Sequence, residues 1–429
     1  MYQYKELFFD TIPFLEPGEL DVSLPLLIWM SVILCIIAGF KSRLVTVLNY
    51  FFTLVFISSL TSFEYHIHYV YIGVNFILMF LPLSNQLSVD KYLGKESNNY
   101  VYKIYYLLPL FLGIALIYFD SVLFKLTSEI WMNGLGMWYP ASLPQITIAE
   151  PNFILENKHL CLFLGYLTLV FEIVFPFLFW LKRFRLPLLI IGLGLHLGIL
   201  FSYPIPLFAL AMINVYLLLV PISFWIKILS FFKIKPLNND QPIKSVASFK
   251  QLSLIIFVAL FFQMNTSINH SSLTRPYVFK LYNKLGIANE VDILSRKIRD
   301  FSSKTMGIFS HGVFIDKHFK GYNHIISVSY MNNGVEEWLP LINKKGMPGE
   351  MNRGANWAKL TWRTNECLIN QGKLKAGIID FCTYWAIIND KSLSGDNKFI
   401  IRVKKVELPK EYKWQKDFLK NQIDQGWSI

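Results

Sequence analysis

Apolar residues gather in long, nearly uninterrupted runs over the first two thirds of this chain and in short alternating runs over the last third. A helix of roughly 18 or more mostly apolar residues covers the hydrocarbon core of a bilayer. Eight stretches approach that length: about Val22–Phe40, Leu44–Ser62, His68–Leu83, Tyr105–Phe124, Leu160–Leu181, Leu186–Phe201, Ile205–Ile226 and Leu252–Asn269. The pattern predicts a multi-pass α-helical membrane bundle of about eight transmembrane helices over residues 22–269, preceded by a mixed segment at 1–21. Residues 126–158 are too polar to span, yet "WMNGLGMWYP" has the aromatics and glycines of an interfacial or re-entrant segment that roofs an outward-opening cavity.

Past His270 the rhythm shortens. "HIISVSY", "EWLPLI", "AGIIDFCTYWAII" and "KFIIRVKKVEL" read as strands, and Asn332, Asn333 and Gly334 supply a hairpin signal between the first two. "YKWQKDFLKNQID" has helical spacing. Residues 270–429 are therefore expected to form a C-terminal β-rich, sandwich-like extramembrane domain, with Trp338, Trp357, Trp362 and Trp385 as core or edge aromatics.

Charge orients the bundle. Of 429 residues, 54% are hydrophobic and 16% charged, and the formal net charge is +12. Much of that excess sits in the loops after the first, third, fifth and seventh runs, at Lys41 and Arg43, at Lys91, Lys95 and Lys103, at Lys182, Arg183 and Arg185, and from Lys227 to Lys250. The positive-inside rule makes those loops cytoplasmic and sends both termini and the C-terminal domain outward. Basic loops facing anionic lipid account for the charge, which removes nucleic acid as an expected partner and leaves the lipid bilayer. Asp10, Glu16, Glu19 and Asp21 do not resemble a cleavable signal, so the first run is expected to act as its own. Cys367 and Cys382 would then face an oxidising space, where a bridge across about 15 residues stabilises by about 3 kcal/mol; two free buried thiols fit the sequence equally. No cysteine spacing suggests zinc.

Ionisable groups inside apolar runs mark function or partnership. The stretch "IYFDSVLFKLTSEIW" takes in an aspartate and then Lys125 before going on to Trp131. A lysine at a helix end commonly snorkels to water, whereas one buried in an apolar pocket can serve as a base. Glu172 and His196 lie deep in their runs and need partners, either each other or Asn214, as a polar clamp or as chemistry. His66 and His68, two residues apart, point to different sides of a helix and read most simply as interfacial residues among Tyr65, Tyr69 and Tyr71. His311, His318 and His324 near Asp316 match no common ligand spacing, and no metal is expected.

The ordered set Tyr118-Phe119, Lys125-Leu126, Trp131, Gly134, Thr168, Glu172, Pro176, "LKRFR", His196 and Phe201…Ile205…Phe208, preceded by "HYVYIG" at His68 and by Ser88-Val89-Asp90, resembles the HTTM group of vitamin K-dependent γ-carboxylase-like membrane proteins. The resemblance spans about Phe63 to Pro221. It implies a membrane enzyme, here of a bacterial inner membrane, in which Lys125 deprotonates reduced vitamin K, a menaquinol-type quinone. The quinol anion then reacts with oxygen, and the resulting base removes a γ-proton from a glutamate of an exported peptide or protein, which takes up carbon dioxide. It further implies that His68 holds the carbanion or its carboxylate, with His66, Glu172, His196, Asn214 and Trp131 in support. The family's carboxylases carry asparagine just before the matched histidine, where this chain has Ile67. Epoxidation without carboxylation is a variant of this reading. The alternatives are a non-enzymatic anchor or assembly factor whose outward domain binds an exported partner, and a transporter, for which matched broken helices are lacking.

Overall fold

A computed structural model describes residues 23–58, 66–81, 83, 88–94, 104–148, 152–233, 246–316, 318, 323–349, 354, 356–358, 361, 371–394, 396–409 and 411–428. The expected N-terminal segment at 1–21, Tyr65, Trp362 and Cys367 lie outside these residues.

The long apolar runs fold as helices, because a chain in an apolar setting must satisfy its own backbone N–H and C=O groups. Helices cover Ser23–Ala38, Ser42–Ser58, His66–Leu78, Ile104–Lys125, Lys158–Leu178, Lys182–Ser202 and Val246–His270. Among the described residues, three helices are long and apolar enough to cross a membrane: Leu108–Lys125, Lys158–Leu178 and Lys182–Ser202. The helices over Leu24–Ala38, Ser42–Ile57 and His66–Leu78 are apolar but shorter. The seventh run is not one helix: Pro206–Tyr216 tightens into a 3-10 turn at Leu217–Leu219, stops before Pro221, and resumes as Ile222–Phe231. Proline has no N–H to continue the ladder and disfavours helix in the residue before it. Taken as one bent span, this pair brings the total to four. Large apolar side chains such as Phe163, Phe177, Ile190 and Phe201 are left exposed along these helices, the surface that a bilayer covers.

Contacts gather the chain into two compact units. The first comprises residues 1–123, 175–189 and 215–311. Its first three long helices are joined by a polar network: Trp29 Nε1 donates to Asn49 Oδ1 at 2.8 Å, Asn49 Nδ2 to Asn75 Oδ1 at 2.8 Å, and Asn75 Nδ2 to Thr53 Oγ1 at 3.1 Å. Asp90 caps the Ser42–Ser58 helix by accepting from the backbone N–H of Lys41 at 2.9 Å and Ser42 at 3.1 Å, groups that have no intrahelical partner. The helix Ala288–Met306 ends at Gly307 with φ +68°. A Cβ there would stand 1.9 Å from the Tyr69 carbonyl oxygen, so both the left-handed backbone and the close approach require glycine.

The second unit comprises residues 124–174, 190–214 and 312–429. Its sheet has β1 (His324–Asn332) at the centre, antiparallel to β2 (Val335–Trp338) on one side and β3 (Lys398–Lys405) on the other. Asn333 at φ +48° and Gly334 at φ +85° form the two-residue turn between β1 and β2, the geometry for which Asn-Gly is suited. The segment after Lys125 folds as the short helices Glu129–Met132, Trp138–Ala141 and Asn152–Glu156 with a 3-10 turn at Pro144–Ile146. Its Ile130, Leu135, Trp138, Tyr139 and Leu143 share one hydrophobic core with Ile325, Val328, Tyr330, Leu341 and Trp357.

Two expectations for the C-terminal region are corrected. "AGIIDFCTYWAII" is a helix, Gln371–Ile388. Its buried residues Ile378, Cys382 and Ala386 recur every four positions, so tertiary burial selects the helical period over the β-propensity of Ile, Thr, Tyr and Trp. With that strand gone and with helices at Arg275–Lys284 and Ala288–Met306, the described part of residues 270–429 holds helices and one three-stranded sheet, and not a sandwich. Cys382 is a free, buried thiol, which burial pushes up to about 11. The terminal helix, Phe418–Asp424, matches the helical spacing read in the sequence.

Candidate functional site

Lys125 is the last residue of its helix, where the partial negative charge of the free carbonyls favours a cation. It does not snorkel. The residue is 5% exposed, and its Nζ donates to Glu172 Oε1 at 2.5 Å. On another side Nζ lies 4.1 Å from the centroid of the Trp131 ring, within cation–π range. Glu172, itself 6% exposed on the Lys158–Leu178 helix, keeps one oxygen unused: among the described residues Oε2 is buried with no hydrogen-bond partner. An amine, an indole face and a spare carboxylate oxygen thus meet in one dry place. A buried acceptor left unsatisfied costs about 1–3 kcal/mol, which such a site recovers when a hydroxyl donor arrives.

The second unit shapes this site locally. Trp131 belongs to the four-residue helix Glu129–Met132, and its Nε1 donates to the Phe314 carbonyl at 2.7 Å. Asp316 Oδ1 accepts from Ser128 Oγ at 2.9 Å and from the Ile130 N–H at 3.0 Å, while Oδ2 accepts from the Glu129 N–H at 2.9 Å. Lys125, Trp131 and Glu172 are therefore brought together. The partner of Glu172 is Lys125, neither His196 nor Asn214. His196 is buried and meets Phe208 edge to face at 5.5 Å between centroids, and Asn214 is exposed.

His66 and His68 belong to the first unit, half-buried in the first turn of the His66–Leu78 helix, with Ile67 between them 1% exposed. The His66 ring lies 5.3 Å from Phe309 and 6.4 Å from His311. Near it is a group that the sequence analysis passed over. Asp120, fully buried, accepts from Ser267 Oγ through Oδ1 and from the His311 N–H through Oδ2, both at 2.6 Å, with His311 Nδ1 3.9 Å from Oδ2. Its position within an apolar run was the available signal.

His311 thus joins a carboxylate, while His318 packs on Phe314 at 5.9 Å and His324 opens β1. Among the described residues no three His, Cys, Asp or Glu side chains come together in a way that could hold a metal ion. A second buried lysine, Lys404 on β3, donates to the Ile423 carbonyl at 2.7 Å and ties down the terminal helix; burial holds its amine below the usual lysine range.

A model of the HTTM domain matches residues 2–225 of the 429. No curated protein and no solved structure matches the chain. The matched stretch is more than half of the sequence and contains Lys125, Trp131, Glu172, His66, His68 and His196. Together with its membrane-length helices, this match places the chain in the HTTM domain family, the domain found in vitamin K-dependent carboxylase-like membrane proteins.

Proposed function

We propose that this protein is an integral membrane enzyme that uses a reduced membrane quinone of the vitamin K type, oxygen and carbon dioxide to carboxylate glutamate in an exported peptide or protein. Lys125 is the base toward the quinol hydroxyl. The observation that carries this reading is the burial of its amine against Glu172 and Trp131, out of bulk water. The residues present fit such a group at the carboxylate, since the unpartnered Glu172 Oε2 accepts a hydroxyl. A bound quinol would supply an acidic hydroxyl and, on going to its epoxide, the four electrons that take oxygen to the epoxide oxygen and water.

What remains is the work of the chain. Lys125 takes the hydroxyl proton as the neutral amine, its own proton having passed to Glu172 through the Nζ–Oε1 bond, and the apolar surroundings exclude water that would quench a strong base. His68 handles the carbanion or the new carboxylate, with His66 and His196 in support. In this reading the chain crosses a bacterial inner membrane eight times, with both termini and residues 270–429 outside, where exported substrate is met. Epoxidation of the quinol alone is the narrower form of the same proposal.

Purified protein in lipid nanodiscs, given quinol and bicarbonate, is expected to take up oxygen, and Lys125→Ala is expected to abolish the uptake. Unchanged uptake in that variant removes Lys125 as the base. Mass spectrometry of exported proteins from the native host, with and without the gene, decides between carboxylation and epoxidation by a gain of one carbon dioxide on glutamate.

The ion pair also supports a second reading. Lys125 and Glu172 join two membrane-length helices and can serve as a clamp in a non-enzymatic anchor or assembly factor. In that case residues 270–429 capture an exported partner and alanine at Lys125 or His68 leaves the capture intact.

A further inference from the structure

We propose that Asp316, which lies beyond the family-matched residues, is a positioning residue for the Lys125 site, fixing Trp131 beneath the amine through the short helix Glu129–Met132. The proposal rests on the reading of Lys125 as a base.

The first N–H groups of any helix have no partner within it, and a helix of four residues has almost nothing else to hold it. Asp316 supplies the missing acceptors, taking the N–H of Glu129 on one oxygen and that of Ile130 on the other. Ser128 stands where an N-cap would but makes no cap bond, because its hydroxyl donates to Asp316 as well. Two residues earlier, Phe314 adopts φ +56°, a left-handed conformation uncommon for a non-glycine residue, and its carbonyl accepts the Trp131 indole N–H. Strain of that kind persists where the surroundings over-determine it, and it clusters where geometry matters for function. Gly136 closes the fit on a further side: a Cβ there would come within 2.3 Å of the Trp131 ring.

The indole is thus held by its backbone through Asp316, by its N–H through Phe314, and by contact at Gly136. Nζ of Lys125 rests on that ring and reaches Glu172 from it. A base must be held within a fraction of an ångström of its target to be effective, and here the precision comes from the stretch 314–316, outside the matched domain.

The test uses the full chain in lipid nanodiscs with Asp316→Asn, Asp316→Ala and Trp131→Phe. The first readout is independent of activity: the rate of Lys125 acetylation by acetic anhydride relative to exposed Lys182, followed by peptide mass spectrometry. Loss of hydrogen bonds to a charged acceptor is expected to raise that ratio about tenfold in Asp316→Ala and less in Asp316→Asn, which keeps one carbonyl oxygen. The second is quinol-dependent oxygen uptake, where kcat is expected to fall about a hundredfold with KM nearly unchanged, as misplacement of a reacting group predicts. A ratio equal to wild type in folded Asp316→Ala overturns the proposal, as does a raised ratio with kcat intact. Should Asp316→Ala not fold, Trp131→Phe decides, since it keeps the ring but drops the N–H bond to Phe314; an unchanged ratio there is equally fatal. If wild-type protein takes up no oxygen, the base assignment fails by itself and the acetylation ratio still settles whether Asp316 orders the site.

Discussion

Asp120 and Glu172 are both carboxylates buried in membrane-length helices, and they are satisfied in opposite ways. In the first unit Asp120 has a donor on each oxygen, Ser267 on one and the His311 N–H on the other. In the second, Glu172 spends one oxygen on Lys125 and leaves the other without a partner among the described residues. A carboxylate with a donor on each oxygen pins segments of chain together and has little left to offer a ligand. A half-saturated one beside an amine is costly to the fold and is what a proton-handling site needs. The same contrast separates Lys125 from Lys404, whose amine is committed to a backbone carbonyl.

The sharpest way to break this comparison is at Lys125. Lys125→Ala is expected to lower quinol-dependent oxygen uptake by about 10²–10⁴-fold, the usual worth of a positioned base. It also leaves Glu172 buried and unpaired, at a cost of about 3–5 kcal/mol visible in thermal unfolding. The pair Lys125→Met with Glu172→Leu removes both charges and is expected to restore stability without activity. Recovery of stability and uptake together would reduce the pair to a clamp. Glu172→Gln comes next: the fold is retained and uptake falls, because an amide cannot hold the proton.

Asp120→Asn should do the reverse. The amide turns an NH2 toward one of two donors, so about 1–3 kcal/mol of stability is expected to be lost while uptake per folded molecule stays near wild type. If instead it silences uptake with stability intact, Asp120 belongs to the chemistry and the contrast is wrong. Ile67→Asn, which installs the residue that carboxylases of the family carry, buries an amide at a site 1% exposed, and a loss of about 1–2 kcal/mol is expected unless a neighbour satisfies it.

The smallest effect is a pH dependence away from both carboxylates. Burial holds the His324 imidazole below its ordinary range. Its contribution to folding is complete above about pH 6.5 and is lost as pH falls, since the unfolded chain takes up the proton first. Thermal unfolding from pH 8 to 5 should show a decline that His324→Gln flattens; an unaltered profile assigns the decline to other groups.

The helical character of the long apolar runs was legible because hydrophobic length and the need to satisfy the backbone favour it, whereas the seventh run was read as one span and its break before Pro221, which follows from proline's missing N–H, was not foreseen. The β1–β2 hairpin was legible because Asn333 and Gly334 suit its left-handed turn. Gln371–Ile388 was misread because Ile, Thr, Tyr and Trp favour strands wherever packing does not overrule them, and the four-residue period of its buried side chains became informative only once a partner surface was known. Lys125, Trp131 and Glu172 were each singled out by type and place, but their pairing was not. Asp316 was seen only as a neighbour of histidines, because its acceptors serve a helix 186 residues away in the chain.

Taken alone, the chain's residues determined that it is a membrane protein of the HTTM family, that its long apolar runs are helical, and which ionisable groups are out of place in an apolar run; these depend on local composition and spacing. Only the tertiary structure decided which of those groups is satisfied and which is left open. Hydrogen-bond partners converge from distant segments, and no periodicity records where they meet.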